Sequence, residues 1–525
     1  MSHSEIAKRA GLVGFLTLLS RIAGLARDMA IAHAFGTRTA ADAFFVAFRI
    51  PNLFRRLFAE GALTVSFVPV FTESLKRSRA EAKRVVDVSV TLTVVILTAA
   101  AAAGILISPW LVRLTAWGFT HDPEKFALTV TLTRVMFPYL VLISLAALAM
   151  GILNSVKHFA TPAAASIFMN LGIIGGALLL TRWFDPPILG LAAGVLAGGV
   201  LQLGCHFPFL FPFGFWPRVA WDPHHPAVRK ILGMMIPSAY GAAVYQFNVI
   251  VITFLASFLQ SGSVSYLWYA DRLMEFPLGI FAISMATVIL PSLAGHAADR
   301  DMAALKETFR YGLRMIFFIT IPAAGGLIVL SHPIIRLLFE HGTFTPESTV
   351  QTARALLFFA AGLPFIAGVR ITANAFYSLQ DSKTPVRAAN RSVLVNIALS
   401  LLLMRPMAHA GLALAVSLAS LANFAMHIAD FRKKVGLLGL RKIAGGVSKT
   451  GISTLVMMAG LWSLQRGPWV MASGHYLHDG VRLAALILSG VAVFAAVEWL
   501  LRGREIREIT GLLSRRRRPP FVGPY

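Results

Sequence analysis

The sequence predicts an all-α polytopic membrane protein: about fourteen transmembrane helices, in two parallel-repeat six-helix lobes followed by a C-terminal helix pair. Three observations carry that prediction. The 525 residues are 57% hydrophobic and 14% charged, where a soluble domain averages about 25% charged. Apolar runs of about twenty residues recur along the chain, each long enough to cross a bilayer as a helix. Finally, the chain repeats itself at a nearly constant offset. Thr161-Pro162 recurs as Thr384-Pro385, Ser155 as Ser378, Thr64-Val65 as Thr287-Val288, and Ala47 and Arg49 as Ala270 and Arg272, all 223 residues on. Gly190 and His206 answer Gly411 and His427 at an offset of 221. A repeat of six helices keeps its orientation, which puts the pseudo-twofold axis along the membrane normal.

The apolar runs place helices near 10–34, 40–74, 85–108, 126–153, 160–181, 188–211, 229–257, 264–292, 307–330, 351–378, 386–404, 410–431, 446–464 and 481–501. The first run has a basic flank but is interrupted by arginine and lacks a compact apolar core with a small-residue cleavage site. It therefore reads as a retained membrane helix. The repeat divides the chain into an N-lobe over 1–217, a C-lobe over 218–435, a helix pair over 436–505 and a basic tail over 506–525.

Much of the net charge of +24 sits in short connectors and at the C-terminus, in "RGREIREITGLLSRRRR". "KRSRAEAKR", "KHFATP", "WPRVAWDPHHPAVRK", "DRDMAALKETFR", "DSKTPVR" and "FRKKVGLLGLRK" alternate with the less basic "HDPEK", "WFDPP", "LQSGS", "EHGTFTPES" and "RPMAHAG". That asymmetry is the positive-inside pattern, so the basic group and both termini are expected in the cytoplasm. It fits a protein attracted to anionic lipid heads better than one that binds nucleic acid. The single cysteine, Cys205, excludes an intramolecular disulfide. No Gly-rich phosphate loop, HExxH or Cys/His ligand spacing occurs, so neither a cofactor nor a metal is expected. His206 and His427 read as packed histidines.

What remains is charge inside the apolar segments, where each ionised side chain costs roughly 2.5–3.5 kcal/mol on insertion scales. At 100° per residue, Thr17, Ser20, Arg21, Gly24, Arg27 and Asp28 share a sector about 120° wide on the first helix. On the second, Asp42, Arg49, Arg56 and Glu60 form a stripe, with Asn52 and Arg55 alongside and Pro51 disturbing the register. Whether Arg55 or Arg56 faces inward stays open. On the eighth, Asp271, Arg272 and Glu275 share a face just before Pro277. Internal ion pairs that lock helices together are one reading, especially for Asp28, Asp42, Glu60 and Asp271. The arginine excess supports another, a positive water-filled cavity for an anionic and specifically phosphate-bearing ligand, because guanidinium pairs bidentately with phosphate and does not deprotonate.

The stretches "SRIAGLARDMAIAHAFG", "TAADAFFVAFRIPNLFRRLFAEGALTVSFVPVF", "YADRLMEFPLGIF" and "GILNSVKHFATPAAA" resemble the MurJ (MviN-type) lipid II flippases of the multidrug/oligosaccharidyl-lipid/polysaccharide exporter superfamily. The resemblance implies fourteen helices, with the last two lining a groove for the lipid tail. It implies movement of undecaprenyl-pyrophosphoryl-MurNAc-pentapeptide-GlcNAc from the inner to the outer leaflet of the bacterial cytoplasmic membrane by alternating access. Arg27, Arg55 and Arg272 match the family's pyrophosphate-holding arginines, Arg21 a further essential cavity arginine, and Asp42 a functionally sensitive carboxylate. Some members bind sodium through aspartates on helices 7 and 11. Here those helices hold no Asp or Glu, only Asn248, Asn390 and Asn396, which favours drive by the membrane potential. Expected partners are lipid II and membrane lipids, with the cell-wall synthesis machinery a further candidate; the chain is expected to act as a monomer. The alternatives are a polysaccharide-unit or multidrug exporter of the same superfamily, and, from another class, a membrane enzyme acting on undecaprenyl pyrophosphate, for which only the Arg272–Glu275 pair speaks.

Overall fold

The computed structural model describes residues 3–55, 63–466 and 476–515. Among them the chain is all-helical, and ten helices are long and apolar enough to cross a membrane. The chain divides into two compact units.

The first unit comprises Met1–Ser265 with His341–Thr345. Its helices are α1 (His3–Phe35), α2 (Thr39–Phe54), α3 (Thr64–Arg77), α4 (Arg79–Leu106), α5 (Ser108–Thr115), α6 (Pro123–Met136), α7 (Tyr139–Ser155), α8 (Ala160–Leu178), α9 (Ile188–Gly204), α10 (Phe207–Leu210) and α11 (Pro226–Ala256). Several starts are written in the sequence. Ser78 Oγ accepts from Glu81 N at 3.0 Å at the head of α4. Asp122 accepts from Lys125 N at 3.0 Å, with Pro123 following it, at the head of α6. Each satisfies a donor that the first turn otherwise leaves unpaired. His225, in the loop before α11, does the same for Ala227 N at 3.2 Å.

Helices α8 and α9 pack on a glycine seam. A Cβ on Gly176 would lie 2.6 Å from Gly194 Cα, and Gly172 faces Gly198 as closely. Four-residue spacing of small residues lets two backbones touch, which in lipid replaces the hydrophobic drive that water would supply. The remaining core gathers Phe67, Phe71, Val85, Leu148, Ile152 and Phe215.

The second unit comprises Tyr266–Glu340 and Pro346–Tyr525. It holds most of α12 (Ser263–Pro277), then α13 (Ile283–Ala298), α14 (Met302–Val329), α15 (Ser331–Phe339), α16 (Pro346–Ser378), α17 (Lys383–Met407), α18 (His409–Val435), α19 (Leu440–Gln465), α20 (Tyr476–Leu500) and α21 (Arg504–Arg515). A π-helical turn at Leu278–Ala282, directly after Pro277, separates α12 from α13. Proline removes one ladder hydrogen bond, and the wider turn absorbs the defect. Phe318, Met457, Leu461 and Phe494 seat the α19–α20 pair on α14. Leu394, Leu402, Leu455 and Leu488 point outward, as side chains facing lipid do.

The helix ranges broadly follow the apolar runs; the π-helical turn interrupts 264–292, the run 188–211 breaks after Gly204, and three further departures occur. The predicted helix 40–74 is described as α2 and α3, with 56–62 outside the described residues. The predicted helix 126–153 breaks at Phe137-Pro138 into α6 and α7. The predicted tail begins as a helix, α21, whose Glu505 is buried 3.8 Å from Arg314 Nε. Compactness also groups α11, which packs on α3, α4 and α5, with the first unit, whereas the repeat counts it with the second half.

Candidate functional site

The charged face of α1 is turned toward α8. Arg27 lies flat against Asp28, with Nε 3.0 Å from Oδ1 and Nη2 2.8 and 3.0 Å from Oδ1 and Oδ2. Neighbours in sequence point about 100° apart on a helix, and only a side chain as long as arginine reaches round to close such a pair. The other edge of the guanidinium, Nη1, donates to Asn170 Oδ1 at 3.2 Å. Asn170 in turn donates to the carbonyl of Ser20 at 3.3 Å, and Gly24 leaves room for its amide. Ser20, Gly24, Arg27 and Asp28 thus form one cluster, with Asp28 buried. Arg21, one turn before, is half-buried and makes no hydrogen bond or ion pair to the described residues. Thr17 turns its hydroxyl back to Val13 O.

On α2 the stripe separates into distinct environments. Asp42 is buried and accepts four hydrogen bonds: from Lys125 Nζ at 2.9 Å, Gly262 N at 2.7 Å, Ser265 N at 2.9 Å and Ser265 Oγ at 2.6 Å. Its partners lie in α6, in the turn at Gly262 and in the first turn of α12 that follows it. The structure does not bring Asp42 to Arg27. Arg49 donates to the Thr253 hydroxyl and reaches Val249 O at 3.4 Å on α11. Arg55 Nε donates to Asn52 Oδ1 at 2.6 Å, the i to i+3 spacing the sequence provides. Arg56 and Glu60 lie outside the described residues.

In the second unit, Arg272 Nη1 donates to Glu275 Oε2 at 2.8 Å, and its guanidinium carbon stands 4.6 Å from the centre of the Trp268 ring. An ion pair on one side and an aromatic face on the other fix the plane of this cation. Asp271 is half-buried beside it. His206 and His427 are packed, His206 against Gln202 O at 2.7 Å and His427 with its ring edge-on to Phe376.

Two residues that the sequence did not single out complete these clusters. Lys125 sits in "HDPEK", a stretch that reads as a connector. Asn170 is the single amide side chain in a largely apolar helix. Nothing local marks either; only packing brings them to Asp42 and Arg27.

The family profile described as "Lipid II flippase MurJ" matches residues 31–475. The chain is 37% identical over 514 residues to a probable lipid II flippase MurJ of Vibrio cholerae serotype O1, covering 95% of this chain and 96% of that protein. It is 35% identical over 499 residues to the lipid II flippase MurJ of Burkholderia cenocepacia, covering 93% and 96%.

The chain belongs to the lipid II flippase MurJ family.

Members of this family are multi-pass membrane transporters of peptidoglycan synthesis, and the chain is a transporter rather than an enzyme. Among solved structures it superposes on a lipid II flippase MurJ in an inward closed conformation, with a TM-score of 0.77 and 27% identity over 93% of this chain and 98% of that one. A multidrug resistance MATE transporter of the MOP superfamily, inward-facing, aligns with a TM-score of 0.69 over 82% of this chain and 98% of that one. At 14% identity that second likeness speaks for the fold alone.

Proposed function

We propose that this chain moves lipid II from the inner to the outer leaflet of the bacterial cytoplasmic membrane by alternating access. In this reading it has fourteen transmembrane helices in two six-helix lobes with a C-terminal pair, acts as a monomer and keeps both termini in the cytoplasm. Arg27, Arg55 and Arg272 bind the pyrophosphate, and Arg21 adds positive charge.

The observation that carries this reading is how Arg27 is held. Asp28 occupies the Nε–Nη2 edge, which fixes the plane of the guanidinium, while among the described residues Nη1 is satisfied only by a neutral amide at 3.2 Å. A phosphate oxygen is a stronger acceptor than an amide carbonyl, since charge-assisted hydrogen bonds are roughly twice as strong as neutral ones. The substrate can therefore take that edge without undoing the ion pair that makes the arginine tolerable in the membrane.

The test is depletion of the protein in its own cell, followed by measuring how much lipid II becomes accessible from outside. Complementation by wild type and failure of an Arg272→Ala variant at normal membrane abundance are expected. Undiminished exposure of lipid II after depletion would overturn the reading. Topology is checked separately in a Cys205→Ser background. A cysteine at Ser382 should be protected from impermeant thiol reagents and one at Glu347 labelled; both positions are exposed.

A further inference from the structure

In the second unit, the end of α16, the start of α17 and the end of α18 enclose a cleft of about 320 Å³. Arg387, Arg391, Lys433, Lys434 and Asp430 line it, together with Phe376. We propose that this cleft binds a phosphate-ester anion, either a phospholipid headgroup or a small soluble phosphate, through Arg387 and Arg391.

The first argument is unspent charge. Lys434 Nζ is 2.7 Å from Asp381 Oδ2, and Lys433 Nζ is 3.4 Å from Asp430 Oδ1. Those two carboxylates answer the two lysines. Arg387 gives one long hydrogen bond, 3.4 Å to Thr384 Oγ1, and Arg391 makes none to the described residues. The two arginines stand at i and i+4 on one face of α17. Like charges one turn apart destabilise a helix, and an anion shared between them reverses the sign. Two planar forks on one face suit the several oxygens of a phosphate, and the volume lies at the small end of ligand pockets, about 300–1,000 Å³. Basic pockets between membrane helices are a recognised way of holding such headgroups.

The second argument is that the fold does not require these charges. The repeat offsets of 223 and 221 place His158 opposite Asp381, Ala164 opposite Arg387, Phe168 opposite Arg391, Phe209 opposite Asp430 and Phe213 opposite Lys434. In the first unit that corner is closed by aromatic packing. The His158 ring stacks on Phe209 with centroids 4.7 Å apart, leans on Phe213 at 6.2 Å and bonds Thr161 Oγ1 at 2.6 Å. In the second unit Asp381 bonds the matching threonine, Thr384 Oγ1, at 2.8 Å. The hinge between helices is therefore kept, while its packed side chains are replaced by a cation-lined cleft.

The experiment titrates the full-length protein in detergent with dihexanoyl-phosphatidylglycerol, dihexanoyl-phosphatidylcholine and glycerol 3-phosphate, reading binding by thermophoresis. Saturable binding of the glycerol lipid is expected, with the choline lipid at least about ten-fold weaker. Arg391→Gln strands no partner, so it should leave the unfolding midpoint unchanged and weaken binding about ten-fold, the loss expected for one charge-assisted contact. Arg387→Gln with Arg391→Gln should abolish binding, whereas Arg272→Ala should not change it. Should the double variant fail to fold, Arg391→Gln alone decides. Glycerol 3-phosphate competing as well as the lipid would assign the cleft to a soluble phosphate; weak competition would assign it to a headgroup. Equal affinity for both lipids, no saturable binding of any probe, or unchanged affinity in Arg391→Gln would overturn the proposal.

Discussion

Asp28 and Asp42 are buried carboxylates on adjacent helices of the same unit, and they are held in opposite ways. Asp42 receives four donors from α6, the turn at Gly262 and the start of α12, one of them the buried Lys125 ammonium. Among the described residues Asp28 receives only Arg27, its neighbour in sequence, and that arginine keeps one edge for a weak neutral partner. A saturated carboxylate has no capacity left for a ligand, so Asp42 serves as a lock. The Asp28–Arg27 pair is half-committed, which is what a binding group inside a membrane needs. Charge buried in an apolar helix is thus not one kind of feature, and its role is read from the partners.

The most severe way to break this comparison is Asp42→Ala. It strands the Lys125 ammonium and orphans the first turn of α12, and removing one partner of a buried pair costs about 3–5 kcal/mol. Membrane abundance and the unfolding midpoint should collapse, with Asp42→Asn falling between. Wild-type stability in Asp42→Ala would mean the lock is dispensable.

Next comes the pair itself. Arg27→Ala alone leaves Asp28 charged and unpartnered, so the sharper variant is Arg27→Ala with Asp28→Asn. This double change should preserve abundance while weakening lipid II binding by ten-fold or more, since a hydrogen bond to a charged group contributes about 1.5–3 kcal/mol. Arg27→Lys keeps the charge but not the fork and should rescue partially. Collapse of the double variant would make the Arg27–Asp28 pair a second lock and erase the distinction.

A smaller effect is expected for Asn170→Ala, which removes a neutral bond of about 1 kcal/mol. Lipid II binding should weaken a few-fold with stability nearly unchanged. An effect as large as that of the double variant would place Asn170 on the substrate rather than behind the arginine.

The smallest effect belongs to a third carboxylate, Asp381, in the connector between α16 and α17. Burial works to raise its pKa, but hydrogen bonds from Lys434, Thr384 N and Thr384 Oγ1 outweigh burial and hold it well below the usual carboxylate range. A depressed folded value means its stabilisation is complete above the unfolded pKa and fades as pH falls through the folded one. The difference in unfolding midpoint between wild type and Asp381→Asn should therefore be flat from pH 8 to about 5 and shrink only below about pH 4. A difference that vanishes by pH 6 would show that the carboxylate is not held by Lys434.

The sequence by itself determined the class of the protein, the apolar helical segments, the repeat and the gathering of Arg21, Arg27 and Asp28 on one face. These follow from local rules: bilayer thickness sets segment length, and helical periodicity sets which side chains share a side. The apolar runs place two helix starts at 85 and 126, whereas the caps at Ser78 and Asp122 begin those helices about one to two turns earlier, because capping polar residues lie outside the apolar run. Only the tertiary structure decided which charges meet. The partners of Asp42 are 83 residues away at Lys125 and 223 away at Ser265, and Asn170 is 143 residues from Arg27. No periodicity reaches that far. Long-range pairing is set by helix packing, itself governed by close approaches such as the α8–α9 glycine seam. A sequence can therefore show that a membrane helix carries charge, while the fold decides whether that charge is spent on a neighbour or kept for a ligand.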